Sequence, residues 1–253
     1  MPSKPREAQP MRLHRYIAQC GVTSRRKAEE LITEGRVEVN GQRIRILGFK
    51  VSPSDKVAVD GEEISLPPPK VVAMYKPIGY VTTLDDPQGR PTVAKLLPDQ
   101  DTSLKPVGRL DMDTDGLILF TNDGDLAMRL AHPRYEIDKE YNAILKGKPE
   151  EAVLEKLRKG VTIEGRKTAP AKVIRRRYDP GEDQTAVKII IHEGRNRQIR
   201  LMGESVGHPV VELRRMRIGF VSIKGMRSGE CRLIGQKDVN RLRELVGLSA
   251  NGG

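Results

Sequence analysis

The sequence predicts an α+β chain in two parts: a small αα-hairpin plus β-strand domain, then a larger domain built on a mostly antiparallel sheet. Three features predict it. Two short helical faces open the chain, valines alternate around Asn-Gly and Asp-Gly turns directly after them, and strand and helix patterns then mix without a strict βαβ rhythm. Residues 1–10, polar with three prolines, read as a flexible basic lead-in. Leu13, Tyr16, Ile17 and Cys20 then fall on one helical face, and Gly21 supplies a stop. Ser24 is placed to cap a second helix over residues 25–34, whose Ala28, Leu31 and Ile32 share a face, and Gly35 ends it. Val37 and Val39 run into Asn40-Gly41, the dipeptide of a tight hairpin turn. Val57 and Val59 with Asp60-Gly61 and Ile64 repeat the pattern, closing a module over residues 11–66.

Pro67 to Pro69 can join neither a helix nor a sheet ladder, so residues 67–70 are expected to be a semi-rigid linker. The second domain is expected over 71–247, with a flexible tail at 248–253. Residues 71–74 read as a buried strand ending at Lys76-Pro77, and 117–120 as another. Tyr141, Ala143 and Leu145 alternate as a strand. Pro149 opens a helix carrying Val153, Leu154 and Leu157, which Gly160 stops. Residues 186–191 form a strand, 197–206 a helix with Ile199, Met202 and Val206 on one stripe, and 238–246 a last helix.

Composition narrows the partners. Lys and Arg outnumber Asp and Glu by 45 to 34, a net charge of +11, which points to a polyanion. No run approaches the ~18 to 20 apolar residues of a spanning helix and no signal peptide is evident, so a cytoplasmic protein without membrane partners is expected. Cys20 and Cys231, like the four histidines, lack metal-ligand spacing; the cysteines are expected to be buried, inert thiols. No dimer seam is apparent, and a monomer is expected.

In the first module, Arg12, Arg15, Arg25, Arg26, Lys27, Arg36 and Arg43 crowd the surface left by few apolar residues. Arg25, Arg26 and Lys27 sit in the first turn after Ser24, where cations oppose the helix dipole by a few tenths of a kcal/mol each unless an anion is near. Leu13-His14-Arg15-Tyr16-Ile17-Ala18, Thr23 to Glu29, Gly35-Arg36-Val37 and Val39-Asn40-Gly41 together resemble the alpha-L RNA-binding fold shared with a small-subunit ribosomal protein. That resemblance implies a grip on structured RNA by shape and phosphate contact. Only nine aromatic residues are present, too few to favour a stacking platform for single strands.

The densest chemistry lies between Val107 and Asp125, where five aspartates fall in fifteen residues. Asp111, Asp113, Asp115 and Gly116 match the first positions of a calcium loop, but Asn122 stands where the bidentate Glu belongs and Lys105-Pro106-Val107-Gly108 cannot be its entering helix. Asp113, Asp123 and Asp125 read as turn-capping or solvated carboxylates. Asp111 directly follows Gly108-Arg109-Leu110 and precedes a buried strand, which can hold a carboxylate rigidly.

Gly108-Arg109-Leu110-Asp111 with Thr114 and Gly116-Leu117 resembles the signature of the ribosomal RNA pseudouridine synthases of the small- and large-subunit branch. Lys76 to Thr83, Lys139-Glu140-Tyr141 and Glu193 to Leu201 are similar to the family's other motifs. The resemblance implies isomerisation of uridine to pseudouridine in ribosomal RNA without cofactor or metal. Asp111 is implied as nucleophile or base, Arg200 as its ion-pair partner, Tyr141 as the ring stacked on uracil, and Leu201 as packing under it. Arg109, Lys76, Arg195 and Arg197 are expected to bind substrate. The family usually follows its third motif with another basic residue, where this chain has Leu201-Met202-Gly203-Glu204. Gly194 to Gln198 and Asp86 to Thr92 resemble the large-subunit branch most. A small-subunit enzyme, a non-catalytic RNA-binding assembly factor and a metal-dependent nuclease are the alternatives.

Overall fold

The computed structural model describes residues 10–98, 101 and 103–249. Residues 1–9 of the lead-in expected at 1–10, and 250–253 of the tail expected at 248–253, lie outside the described residues. The chain divides into two compact units, Met1–Pro69 and Lys70–Gly253.

In the first unit, β1 (Met11–Arg12) leads into α1 (Leu13–Gln19) and α2 (Arg25–Glu34). Ser24 accepts the Lys27 N–H and so caps α2, while Gly35 ends it in the left-handed conformation at φ 76°. Strands β2 (Val37–Val39), β3 (Gln42–Ile44), β4 (Lys50–Val51), β5 (Val57–Val59) and β6 (Glu62–Ile64) follow. Four of them form an antiparallel sheet ordered β3-β2-β5-β6, and β4 pairs with β1. Both hairpin turns have positive φ at both central residues, Asn40-Gly41 and Asp60-Gly61, the geometry that suits those dipeptides. The core joins Leu13, Ile17, Ala28 and Ile32 to the buried valines of β2, β4 and β5.

The second unit contains β7 (Val71–Lys76), β8 (Lys105–Pro106), β9 (Asp115–Thr121), α3 (Gly124–Ala131) and β10 (Lys139–Lys146). Next come α4 (Glu151–Lys159), β11 (Thr162–Ile163), β12 (Arg166–Lys167), β13 (Lys172–Asp179), β14 (Gln184–Ile191) and α5 (Gln198–Ser205). Then β15 (Val210–Ile218), β16 (Val221–Ser222), β17 (Cys231–Leu233) and α6 (Gln236–Leu245) complete it. Nine strands make one sheet, ordered β13-β14-β10-β15-β9-β7-β17 with β16 and β8 at the side. Its pairings are antiparallel except for β9 beside β15.

All seven residues of β9 are buried because both faces of the sheet are covered there. Ile118 and Phe120 face a core with Met74, Tyr141, Ile189 and residues of α4 and α5. Leu117 and Leu119 face the other core, closed by α3 and α6. Lys70, placed in the linker by the sequence, is tied to the second unit: its N–H donates to Asn122 and its ammonium pairs with Asp101 at 2.9 Å. Cys20 and Cys231 are half-buried, and burial pushes both thiols up to about 11. Among the described residues, no helix is long and apolar enough to cross a membrane.

Glu140 holds β10 to both neighbours through Lys188 at 2.6 Å and Arg217 at 3.2 Å. Burial alone would raise this carboxyl, but the two cations outweigh it and hold it below its ordinary 4.5. A depressed folded-state value stabilises the fold above pH ~4.5 and is lost as pH falls through the folded value. Urea titrations from pH 7 downward should therefore show acid destabilisation that is shallower in Glu140→Gln than in the wild type.

Candidate active site

The segment carrying Asp111 joins β8 to β9, and the motif around Lys76 to Thr83 straps it down. Thr82, buried, donates its hydroxyl to the Leu110 carbonyl at 2.7 Å and accepts the Leu110 N–H at 3.2 Å. The Gly79 N–H donates to the Met112 carbonyl at 2.8 Å, and the Thr114 N–H to the Asp111 carbonyl at 3.1 Å. Lys76 is completely buried and donates to the carbonyls of Pro77 and Tyr80, each at 2.9 Å. Burial lowers its pKa to about 8, against the pull of Asp115, Asp111 and Asp113. Lys76, expected to bind substrate, is not among the residues lining the cavity; its ammonium is a buried cation near the acidic segment.

Gly116 anchors the far end. It pairs with Arg215 across the parallel contact of β9 and β15, at φ 109°. A Cβ there would lie 2.6 Å from the Arg215 backbone nitrogen and still closer to its carbonyl oxygen, so no other residue fits without parting the strands.

A cavity of about 440 Å³ opens beside this strap, the size of a small-ligand site. Asp111, Arg109, Tyr141, Arg195 and Arg197 all line it, drawn together from β10, the segment before β9 and the turn before α5. Tyr141 is 8% exposed, its ring held between cross-strand neighbours Ile189 and Arg215. Arg195 spans to the Ile163 carbonyl at 2.8 Å and the Arg166 carbonyl at 3.1 Å, which ties the cavity wall to the β11–β12 hairpin.

Two further expectations are corrected. Arg200 does not meet Asp111: its guanidinium lies 3.2 Å from the Asp113 carboxylate and donates to the carbonyls of Asp113 and Val210. Arg197 takes the outer place instead, 3.9 Å from Asp111 and 3.2 Å from Asp113. The cause is local, because α5 starts at Gln198 and Arg197 precedes it in the left-handed conformation, turning its side chain to the cavity while Arg200 packs inward. Leu201 likewise packs against the core without lining the cavity, whose apolar walls are Leu110, Ile199 and Leu213.

The same geometry revises the aspartates. Asp113 does lie in an exposed turn, and its carboxylate is also the shared partner of Arg197 and Arg200. Asp115 pairs with Arg214 at 2.8 Å. Asp123 does cap, accepting the N–H groups of Asp125 and Leu126 at the start of α3. Among the described residues, no three His, Cys, Asp or Glu side chains converge as metal ligands.

Sequence reasoning missed Lys139, Gln198 and Arg215 in the cavity wall. Gln198 stiffens the turn before α5, accepting the Arg195 N–H at 3.0 Å and donating to Glu193. Lys139 stood in plain view, two residues before Tyr141 and hence on the same strand face. Arg215 lies in a run of arginines that reads as solvent-facing, yet it is 3% exposed.

In the first unit, Arg25, Arg26 and Lys27 are exposed along the first turn of α2. Arg12 donates to the Gly48 carbonyl, Arg15 is half-buried, and Arg43 lies 3.9 Å from Glu38. Arg36 is occupied: Asp60 grips it bidentately at 2.8 and 2.6 Å, with Glu34 at 3.3 Å.

A carboxylate on a rigid strap and an aromatic ring lining one chamber of small-ligand size equip a protein to act on a single base. Residues 70–205 match the RNA pseudouridylate synthase family and 11–64 the S4 domain, and the chain belongs to the RNA pseudouridylate synthase family. The ribosomal large subunit pseudouridine synthase B of Bacillus subtilis (strain 168) is 44% identical over 235 residues, covering 93% of this chain and 96% of its own. Its namesake in Pseudomonas aeruginosa is 41% identical, covering 94% of this chain and 63% of its own. A crystal structure of a pseudouridylate synthase superposes with a TM-score of 0.64 at 29% identity, over 92% of this chain and 99% of that one.

Gly116→Ala should lose roughly 3 kcal/mol or more in urea unfolding, because backbone must move, while Gly165→Ala, with open space around it, should lose about 1 kcal/mol. Removing Arg25 and Arg26 together should weaken RNA binding and flatten its dependence on log salt by about 0.7 to 0.9 for each phosphate that is no longer neutralised. Arg36→Ala should leave that slope unchanged, since Asp60 already neutralises it.

Proposed function

We propose that this chain isomerises uridine to pseudouridine in large-subunit ribosomal RNA, with Asp111 as the reacting carboxylate and Tyr141 as the ring against the base. The observation that carries this reading is that both side chains line one cavity, with Arg109, Arg195 and Arg197 around them. The target nucleotide must leave its stack to present base and sugar together. Once extruded, its uracil lies on Tyr141, a flat contact worth roughly 1 to 3 kcal/mol. The mouth arginines take the neighbouring phosphates, and Arg197 also orients Asp111.

Asp111 then attacks C1′ or removes the C2′ proton. By either route the C1′–N1 bond breaks with its electron pair on the base. The base turns and C5 bonds to C1′, displacing the Asp111 carboxylate in the first route or, in the second, as Asp111 returns the proton to C2′; the C5 proton then leaves and N1 regains one, so atoms and charge balance without a further reagent. Arg200 acts one step back, fixing Asp113 and the segment's end by its bonds to the Asp113 carbonyl and carboxylate.

The choice of large-subunit RNA rests on the relatives' activity and on the motif over Asp86 to Thr92. In this reading the module at 11–66 grips structured RNA through the first turn of α2, residues 67–70 join it to the catalytic domain at 71–247, and the protein works as a cytoplasmic monomer.

Asp111→Asn preserves shape and removes charge. On an unmodified large-subunit rRNA transcript, mapped for pseudouridine after incubation, the wild type should convert one uridine. Asp111→Asn should abolish conversion while binding the transcript with unchanged affinity. Equal conversion by the two proteins would defeat the assignment.

A further inference from the structure

Beside Tyr141 the cavity is lined by two buried cations that the reaction above does not use. Lys139 and Arg215 are 6% and 3% exposed and both line the cavity. Lys139 shares the β10 face with Tyr141, two residues on, and Arg215 is the cross-strand partner of Tyr141 on β15. The Arg215 guanidinium donates to the Leu117 carbonyl at 2.7 Å and reaches the Tyr141 hydroxyl at 3.5 Å, while its second terminal nitrogen is buried with no partner among the described residues. Lys139 has a single long hydrogen bond, 3.3 Å to the His192 carbonyl. Among the described residues, no carboxylate lies within ion-pair distance of either cation.

This arrangement is costly at rest. Buried charges are ordinarily paired, and two like charges side by side without a counter-ion raise the energy of the empty site. Burial, then the nearby Arg215, lowers Lys139 to about 8, with Asp138 and Glu193 only partly opposing. The other cavity cations differ: Arg109 and Arg197 are exposed at the mouth, within reach of phosphates, and Arg197 already has Asp113. The species that arises beside Tyr141 is the base itself, when the C1′–N1 electron pair is left on uracil.

We infer that Lys139 and Arg215 hold the negative charge of the departing uracil, so that the cleaved base is stabilised as an anion between its release from N1 and its reattachment through C5. This rests on the uridine-isomerising reading above. Because the charge develops only as the bond breaks, the two cations favour the transition state over bound substrate, and their cost when the site is empty is relieved at that moment. A resident carboxylate would cancel the effect, which gives its absence a physical reason. Electrons balance within the substrate: the pair stored on the base returns to form the C5–C1′ bond, and the cations keep their protons throughout.

Replacing the target uridine by 5-fluorouridine tests this, since fluorine makes the base anion more stable in itself and the enzyme's cations less needed. Single-turnover formation of the C5–C1′ bond is compared in both RNAs, the fluorinated base stopping at that adduct because it has no C5 proton to lose, alongside RNA affinity, in the wild type, Lys139→Met, Arg215→Gln and the charge-keeping Lys139→Arg. Lys139→Met and Arg215→Gln should each slow the uridine RNA by about 100-fold, and the fluorinated RNA by only about tenfold, at unchanged affinity. Lys139→Arg should restore most of the uridine rate, separating charge from mere packing. Equal losses on both RNAs, a loss confined to affinity, or a Lys139→Arg as impaired as Lys139→Met would each overturn the inference. A wild type inactive on uridine RNA would instead overturn the isomerase reading, and this inference with it.

Discussion

The backbones of Gly116 and Arg215 lie closer than any side chain would allow, and much of the second unit is arranged around that contact. It is the parallel pairing in an otherwise antiparallel sheet, so it joins the half built on β10, β14 and β15 to the half built on β7, β9 and β17. It also lets Asp115 and its neighbours approach the strand that carries Arg214 and Arg215. The acidic segment therefore starts from a buried seam, and the bonds from Thr82 and Gly79 need only hold its middle. A carboxylate placed this way is held in position by backbone bonds on both sides.

Charge in this protein divides by whether a cation has its own acid. Arg36, Arg158, Arg217 and Lys188 are matched within the fold and add little to the field seen by RNA. The +11 excess matters most at Arg25, Arg26 and Lys27 in the first turn of α2, which have no ion pair among the described residues, and at Arg109 in the cavity wall. A polyanion would thus be drawn to both units, while the second presents the chamber described above. Net charge told of RNA, but only the pairing pattern tells where on the surface it matters.

Much of this was legible in the sequence, and the failures have physical causes. The helices and hairpins of the first unit follow from caps and turn dipeptides whose conformational demands are local, so Ser24, Gly35, Asn40-Gly41 and Asp60-Gly61 fall where expected. Asp111 and Tyr141 could be brought to one site because each stands in a distinctive run. The partner of Asp111 could not, since which of Arg197 and Arg200 turns outward depends on where α5 begins and on the positive φ at Arg197. Strand β15 went unseen for a related reason. Its arginines break the alternation of a half-buried strand, and register shifts against β10 on either side of the Tyr141–Arg215 and Ala143–Leu213 pairs decide which of them is buried. A buried arginine is held by tertiary bonds, and no local pattern announces it.

The sheet ends on one side at β13, an edge that carries Lys172, Arg175, Arg176 and Arg177 and shifts register between Arg175 and Arg177. On the other side it ends at β17, only three residues long. Neither rim offers a stranger a clean ladder to copy: one is an electrolyte fringe that repels its own kind, the other is too brief to template. The surface that unites the strands inside the sheet is thereby closed to accretion at its two rims.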